Sequence, residues 1–166
     1  MSESLQGSWG EYMNTYRKII FADSAGNSRA PMAAELLKEC IIKLPIDIQA
    51  RGIVVLFPEP LNQKAEAILI SNGITLENYM SSQLEEEDFA QDTLVVVMSS
   101  GDQQKVLDLF ENAIPENVQV LTELVGDELE IMDPYGGTLQ AYGICYETLS
   151  KSIKKLAAML NQINSS

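Results

Sequence analysis

Short apolar runs of strand length alternate with segments of helical periodicity along most of the chain. The apolar runs predict strands at residues 18–22, 53–57, 93–98 and 118–121. Helical patterns predict helices from about residue 30, after the capping residue Asn62, from residue 102 to about 113, and from residue 139 onward. Strand and helix alternate in this way four times, which predicts a parallel sheet with helices on both faces.

The individual patterns place some of these elements within the sheet. Residues 93–98 are apolar almost throughout, as expected for a central strand, whereas residues 118–121 form a shorter run expected nearer an edge. Residues 53–57 are predicted as a second buried strand that ends before Pro58. The last helix carries one apolar seam at alternating steps of three and four, namely Leu139, Tyr142, Tyr146, Leu149, Ile153, Leu156, Leu160 and Ile163.

A length of 166 residues is typical of one domain. We predict an N-terminal extension over residues 1–16 and a single domain over residues 17–166. Within the extension, Trp9, Tyr12 and Tyr16 are candidates to pack back on the domain. The polar first residues do not resemble a signal peptide, and the longest apolar run is much shorter than a membrane span.

The composition excludes several classes of function. The chain has no histidine, which excludes Ser-His-Asp and Cys-His catalysis and most zinc, copper and non-haem iron sites. Its two cysteines are too few for a disulfide framework. A net charge of −13 disfavours binding to nucleic acids and to anionic membranes. These features predict an acidic cytoplasmic protein that binds neither nucleic acid nor membrane.

The segment between the first strand and the first helix is the leading candidate for a functional site. Residues 23–29 read Asp-Ser-Ala-Gly-Asn-Ser-Arg, a small polar loop that contains a glycine. Backbone N–H groups in such a loop, the N-terminus of the following helix and the guanidinium of Arg29 would together attract an anion. Ligands of parallel α/β sheets also bind beyond the carboxyl ends of the strands.

The surrounding motifs resemble those of the low-molecular-weight protein tyrosine phosphatases. Residues 23–33 are similar to the phosphate-binding loop of that family, which has Cys, five residues and Arg, followed by Ser-Pro-Met-Ala. Residues 133–137, Asp-Pro-Tyr-Gly-Gly, look like its acid loop. Between the two loops, the segment Pro58–Pro60 and the pairs Gly73-Ile74 and Gln83-Leu84 match the family in the expected order. The resemblance covers about residues 17–160 and implies a three-layer α/β sandwich with Rossmann-like topology and strand order 2-1-3-4.

The resemblance also implies roles for residues. In the family, a cysteine thiolate at the first loop position attacks the phosphorus of phosphotyrosine, and an aspartate protonates the leaving phenolate. That acid corresponds to Asp133, while Tyr135 and Phe57 correspond to aromatic walls of the pocket. The phosphate-binding positions correspond to Ser24, Ala25, Gly26, Asn27, Ser28 and Arg29.

This sequence departs from the family pattern at the nucleophile. A gapless comparison places Asp23 there, and an alternative that shortens the loop by one residue places Ser24 there. The two cysteines, Cys40 and Cys145, fall in predicted helices and are interpreted as packing residues. Other family positions have changed as well, and they correspond here to Gly26, Ala30, Tyr79 and Ser99.

We therefore predict a catalytically impaired family member that binds phosphate or phosphotyrosine-like anions weakly, or that acts as a regulatory pseudophosphatase. Asp23 is expected to be ionised beside Arg29 and to repel an incoming phosphate. The alternative is an active phosphatase that uses Asp23 or Ser24 as its nucleophile. An arsenate reductase, a third possibility on this fold, would need reactive cysteines. No cofactor or metal is predicted, because Arg29 lies between Asp23 and Asp133, and we expect a monomer or a weak dimer.

Overall fold

The structure is a computed structural model of the chain, and it describes residues 16–40, 42 and 45–165. The strands are β1 Lys18–Asp23, β2 Asp47–Gly52, β3 Thr93–Val97 and β4 Val118–Val120. The helices are α1 Arg29–Glu39, α2 Gln63–Ser71, α3 Ser100–Leu109, α4 Leu121–Val125 and α5 Leu139–Ser165. Short 3₁₀ turns lie at Glu86–Asp88 and Pro115–Asn117.

The four strands form one parallel sheet in the order β2-β1-β3-β4. This confirms the predicted sheet and its strand order. Lys18 of β1 pairs with Asp47 of β2 on one side and with Thr93 of β3 on the other. The two central strands therefore end together, and the loops that follow them meet at one edge of the sheet.

Alternate residues of β1 divide the core between the two faces of the sheet. Ile19 and Phe21 pack in a cluster with α1, α2, α4 and α5, whereas Ile20 and Ala22 pack with residues of α3 and the segments around Phe89. Side chains of a strand alternate in this way because the strand has a period of two. The helices thus cover both faces, as predicted.

The second strand does not lie where its apolar run predicted it. Residues 53–57 are a loop, in which Leu56 is 83% exposed and Phe57 is 77% exposed, and β2 is the preceding segment Asp47–Gly52. β2 is an edge strand with alternating burial, so its sequence is half polar and gives no apolar run. The N–H groups of Ile53 and Val54 donate instead to the carbonyls of Asp23 and Ser24, across the end of β1.

The predicted helices agree with the structure to within a few residues, whereas the short helix α4, which begins at Leu121 at the end of the predicted fourth strand, was not predicted. Asn62 caps α2, where its side chain accepts hydrogen bonds from the N–H groups of Lys64 and Ala65. α3 starts and ends a few residues earlier than predicted, after the capping residue Ser99. Tyr16 is buried, as expected, whereas Trp9 and Tyr12 lie outside the described residues. Among the helices of the described part of the chain, none is long and apolar enough to cross a membrane.

Candidate functional site

Residues 23–29, here called the cradle, connect the end of β1 to the start of α1. Gly26 in the middle of the cradle has a φ of +75°, and a Cβ atom added to it would lie 2.6 Å from the backbone nitrogen of Gly52. Both observations require glycine at this position, because other residues disfavour positive φ and any side chain would clash with the end of β2. The cradle is therefore held closely against the neighbouring strand.

The carboxyl group of Asp23 binds the middle of the cradle and the first turn of α1. One oxygen accepts a hydrogen bond from the N–H of Gly26, and the other accepts from the N–H of Ala30 at 2.8 Å. The side chain is 2% exposed. Asp23 therefore folds into its own loop and caps the first turn of α1, instead of pointing out to solvent.

The pKa of Asp23 differs from the sequence-based expectation. Burial raises its pKa, and the N–H of Ala30, the charge of Arg29 and the N–H of Gly26 oppose that effect. Asp133 adds to the rise by like-charge repulsion. Burial thus disfavours the charged carboxylate, whereas we had expected the cradle to hold it ionised.

Arg29 points to two other carboxylates. Its Nη2 lies 3.8 Å from an oxygen of Asp102 and 3.7 Å from an oxygen of Asp133, while its Nη1 donates to the carbonyl of Ile131 at 2.9 Å. The Nε of Arg29 is buried and has no hydrogen-bond partner. Asp23 and Arg29 do not form an ion pair within 4.0 Å, although both belong to the described cradle. The positive charge of this site is thus already shared between two acids.

Asp102 was missed as a site residue in the sequence. It lies in the first turn of α3, where its N–H donates to the capping side chain of Ser99, and the residue is 7% exposed. Acidic residues are common in the first turn of a helix, so nothing in the sequence pattern indicates that this acid is buried. The only available signal was its position shortly after the end of β3, the strand beside β1.

Asp133 and Tyr135 lie on the loop before α5, close to Arg29. The N–H of Tyr135 donates to the carboxylate of Asp133 at 3.0 Å, and the N–H of Ile131 donates to the carbonyl of Met98 at the end of β3. The Asp133 side chain is 40% exposed, whereas the Tyr135 residue is 85% exposed. The structure thus brings Asp133 within 3.7 Å of Arg29 and leaves the side chains of Tyr135 and Phe57 exposed.

Comparisons with known proteins now identify the family. The model of the low molecular weight phosphotyrosine protein phosphatases matches residues 18–165. The chain belongs to this family. A protein-arginine-phosphatase of Geobacillus stearothermophilus is 28% identical over 144 residues, which cover 86% of this chain and 95% of that protein. The tyrosine phosphatase PtpB of Staphylococcus aureus is 28% identical over 139 residues, covering 84% of this chain and 96% of its own.

Solved structures agree with that assignment. The YwlE arginine phosphatase of Geobacillus stearothermophilus aligns with a TM-score of 0.79 at 28% identity, covering 88% of this chain and 94% of its own. The tyrosine phosphatase Wzb of Escherichia coli K30, solved in complex with sulphate, aligns at 0.78 over 87% and 99% of the two chains. At 20% identity, this second structure supports the fold alone.

A neighbouring tyrosine forms a hydrogen bond with the cradle. The hydroxyl of Tyr79 donates to the carbonyl of Gly26, and the backbone N–H of Asn62 donates to the carbonyl of Asn27 at 2.9 Å. Burial raises the pKa of Tyr79 and Asp23 raises it further, so the phenol stays a hydrogen-bond donor. Tyr79 thus holds the carbonyl of Gly26, the central residue of the cradle, in place.

Several backbone N–H groups of the cradle donate no hydrogen bond to another described residue. Among the described residues, no acceptor contacts the backbone N–H groups of Ala25, Asn27 and Ser28. The Ser28 side chain is buried and does not cap α1, and Ser24 is exposed with its carbonyl bonded to Val54. The predicted phosphate-binding positions therefore form one continuous loop whose polar N–H groups are partly free.

The cysteines pack in or against the core. Cys145 is 6% exposed, its thiol donates to the carbonyl of Met132 at 3.8 Å, and burial raises its pKa to about 11. Cys40 packs against the same core cluster near the end of α1. The charge of Arg29 opposes this rise in the pKa of Cys145, whereas the charges of Asp133 and Asp23 add to it. Over the described residues, no three acidic or cysteine side chains converge in a way that could hold a metal ion.

Proposed function

We propose that this family member is a pseudophosphatase that does not form a cysteine-linked phosphoenzyme and that binds phosphoryl groups weakly. The observation that carries the proposal is the carboxyl of Asp23 at the first cradle position, bonded to the N–H groups of Gly26 and Ala30. A thiolate nucleophile depends on being deprotonated near neutral pH. The cradle offers no thiol, and the pKa of the buried Cys145 lies near 11.

The geometry also argues against Asp23 as a simple replacement for the thiolate. Both of its oxygens accept hydrogen bonds from the loop, so an attack on phosphorus would break at least one of these bonds. Its burial further disfavours the charged form that would have to attack. A second acid and a metal ion usually assist phosphoryl transfer to a carboxylate. Ala25, two residues further along the cradle, supplies no such acid.

Weak binding of an oxyanion follows from two opposing features. The unpaired N–H groups of Ala25, Asn27 and Ser28 and the unpaired Nε of Arg29 attract an anion. The carboxylates of Asp102 and Asp133 repel it, since two like charges about 4 Å apart cost about 4 kcal/mol at an effective dielectric constant of about 20. Relatives named as arginine and tyrosine phosphatases make phosphoarginine and phosphotyrosine the phosphoryl ligands to test first.

Hydrolysis of para-nitrophenyl phosphate tests this proposal. The wild-type chain is expected to be inactive, and Asp23→Cys is expected to gain thiol-dependent activity because Arg29 and Asp133 are in place. Asp23→Ala is the matched control, since it removes the carboxyl without supplying a thiol. Thermal shift with orthovanadate measures binding, with a small shift for the wild type and a larger one for Asp23→Ala. Wild-type turnover equal to that of Asp23→Cys would contradict the proposal.

The second candidate is an active phosphatase with an oxygen nucleophile, Asp23 or Ser24. A solved relative at 28% identity supports it: a cysteine-to-serine mutant of the YwlE arginine phosphatase carries a phosphorylated active site serine. An oxygen nucleophile can thus accept a phosphoryl group in this family. Incubation with ³²P-labelled phosphopeptide and acid quenching would trap such an adduct, and sensitivity to hydroxylamine would distinguish an Asp23 acyl phosphate from a Ser24 ester. Under both candidate functions, we propose that the protein is cytoplasmic, as its composition predicts.

A further inference from the structure

The outer edge of β2 has no partner strand among the described residues. β2 stands at one end of the sheet and pairs with β1 alone. The N–H groups of Asp47 and Ile53 donate toward β1, whereas the N–H of Gly52 donates away from it. Because this direction alternates along a strand, Ile48 and Ala50 also turn their N–H and C=O groups outward. An open edge of this kind is a template for pairing with another strand.

The chain itself limits the length of the open edge. At the carboxyl end, the N–H of Leu84 donates to the carbonyl of Gly52, so a neighbouring segment already occupies the outer side of the strand there. At the other end, β2 begins at Asp47. The open edge therefore spans residues 47–51, and Gln49 is its centre.

Space remains beside this edge. A cleft of about 290 Å³ lies alongside β2, and it is lined by Ile48 and Ala50 together with residues of α1 and with Leu76 and Met80 of the loop after α2. The side chain of Asp47, on the other face of the strand, is 55% exposed. The described part of the chain thus leaves room for a further strand at this edge.

The opposite edge of the sheet is less available. β4 has only three residues, and the carbonyl of Val118, its first residue, already accepts a hydrogen bond from the side chain of Gln103 at 2.7 Å. Of the two edges, β2 therefore offers the longer run of backbone for pairing.

The sequence of β2 is complementary to itself in antiparallel pairing. The strand carries an acid, Asp47, at its first position and a base, Arg51, at its fifth. In an antiparallel pair of two such strands centred on Gln49, Asp47 of each copy lies directly opposite Arg51 of the other. Ile48 of each copy then lies opposite Ala50 of the other, and the outward N–H and C=O groups of these two residues bond to one another.

Neighbouring side chains extend this complementarity of charge. Nζ of Lys18 lies 3.9 Å from a carboxylate oxygen of Asp47, and Nε of Arg51 lies 3.5 Å from a carboxylate oxygen of Asp88. Pairing would place Lys18, Asp47 and the second copy's Arg51 and Asp88 in a row of alternating charge. Opposite charges across antiparallel strands stabilise the pair, and like charges destabilise it. Nη1 of Arg51 also donates to the outward carbonyl of Ala50, a contact that an N–H of the second copy would replace.

We propose that two copies of this chain associate through β2, in antiparallel register about a twofold axis at Gln49, and join their four-stranded sheets into one. Twofold contacts of this kind are the commonest in protein dimers. The net charge of −13 on each copy opposes association, so the dimer is weak and forms at high protein concentration. This inference goes beyond the proposed function, because residues 47–51 lie outside the cradle and bind no anion in it.

A disulfide across the twofold axis tests the register. The two copies of Gln49 form a non-hydrogen-bonded pair, in which the Cα atoms lie about 4.5 Å apart, a separation that a disulfide bridges. We expect Gln49→Cys to form a covalent dimer in a glutathione redox buffer, detected by non-reducing electrophoresis. Gln119→Cys, at the middle of β4, is the matched control. This control and the wild type, with its two native cysteines, should remain monomers on the gel.

Charge reversal tests the pairing without a disulfide, and sedimentation velocity at several protein concentrations measures it. Asp47→Arg and Arg51→Asp should each weaken the dimer about tenfold or more, because each replaces two attractive pairs with two repulsive ones. An equal mixture of the two variants should restore the dimer, since position 47 of each variant then faces an opposite charge at position 51 of the other. Asp108→Arg, which changes the net charge as much as Asp47→Arg does but lies on α3, should not weaken it.

Each outcome decides the inference. Crosslinking of Gln49→Cys alone and recovery in the mixture would support it, and a merely structural role of the two charges would not produce that recovery. Equal crosslinking of Gln49→Cys and Gln119→Cys, or a wild type that stays monomeric at its highest soluble concentration, would overturn it. A wild-type dimer that neither charge reversal weakens would also overturn it, in favour of another surface.

Discussion

Asp102 and Arg29 form a buried ion pair, with an oxygen of Asp102 lying 3.8 Å from Nη2 of Arg29 at the edge of the sheet where β1 and β3 end. Their side chains are only 10% and 5% exposed. The same oxygen of Asp102 and the Nε of Arg29 have no hydrogen-bond partner. The pair therefore holds charge without satisfying all of its polar atoms, and it draws the guanidinium toward α3.

Replacing one member of this pair should destabilise the fold. Asp102→Asn removes one of the two acids that neutralise a buried guanidinium, and such losses cost about 3 kcal/mol in the free energy of unfolding. Urea denaturation measures the change, with Asp108→Asn, an exposed acid on the same helix, as the control. The same variant should increase the thermal shift with orthovanadate, because Arg29 faces one acid fewer. A stability equal to that of Asp108→Asn would show that Asp133 alone suffices.

The stability of the chain should depend on the protonation of Asp23. Its pKa is raised above the ordinary value of 3.8 by burial, so between these two pKa values the folded state binds more protons than the unfolded state. This contribution to stability is full below the unfolded pKa and is lost as pH rises through the folded pKa. The free energy of unfolding of the wild type, relative to that of Asp23→Asn, should therefore fall as pH rises from the ordinary pKa of 3.8 through the raised pKa of the folded state.

Denaturation of both proteins at several pH values measures that difference. The comparison with Asp23→Asn removes titrations that the two proteins share. Asp108→Asn, which replaces an exposed acid of α3, is the control variant. A difference that grows with pH would mean that the hydrogen bonds from Gly26 and Ala30 outweigh burial.

The sequence predicted most of the fold because buried elements have simple patterns. The run 93–98 identified the central strand β3, and Asn62 marked the start of α2. The edge strand β2 was misplaced because its sequence, DIQARG, alternates apolar and polar residues and the run after it is more apolar. That run lies at the sheet edge, where Leu56 and Phe57 are exposed.

Only those parts of the candidate site that belong to recognisable sequence motifs could be predicted. The motifs identified the loop from Asp23 to Arg29, the following Pro31 and the distant Asp133. In the structure, Nη2 of Arg29 lies 3.7 Å from a carboxylate oxygen of Asp133. The burial of Asp102 and the orientation of the Arg29 side chain could not be predicted from the sequence, because both depend on how α3 packs against the loop before α5. Motif spacing carries no information about such tertiary pairings.

The acid Asp127 connects the end of α4 to α5. It accepts hydrogen bonds from Lys155 and, at 2.5 Å, from the hydroxyl of Ser152, and the bond from Lys155 is the main cause of its lowered pKa. Its stabilising effect is present above the unfolded pKa and is lost as pH falls through the folded pKa. Because the pair lies at the surface, with the Lys155 side chain 54% exposed, Asp127→Asn should cost less than about 1 kcal/mol in unfolding free energy. An equal cost at low pH and at neutral pH would contradict this role.

Gly26 should tolerate substitution far less than another glycine with the same backbone conformation. Gly26 and Gly73 have φ values of +75° and +80°, but an added Cβ would lie 2.6 Å from Gly52 in the first case and would meet nothing within 4 Å in the second. Gly73→Ala should therefore cost only the backbone strain, about 1–2 kcal/mol. Gly26→Ala should cost clearly more, because the cradle must also move away from β2 and weaken the bond from Gly26 to Asp23. Urea denaturation of both variants measures the difference, and equal losses would mean that the cradle is not held against β2.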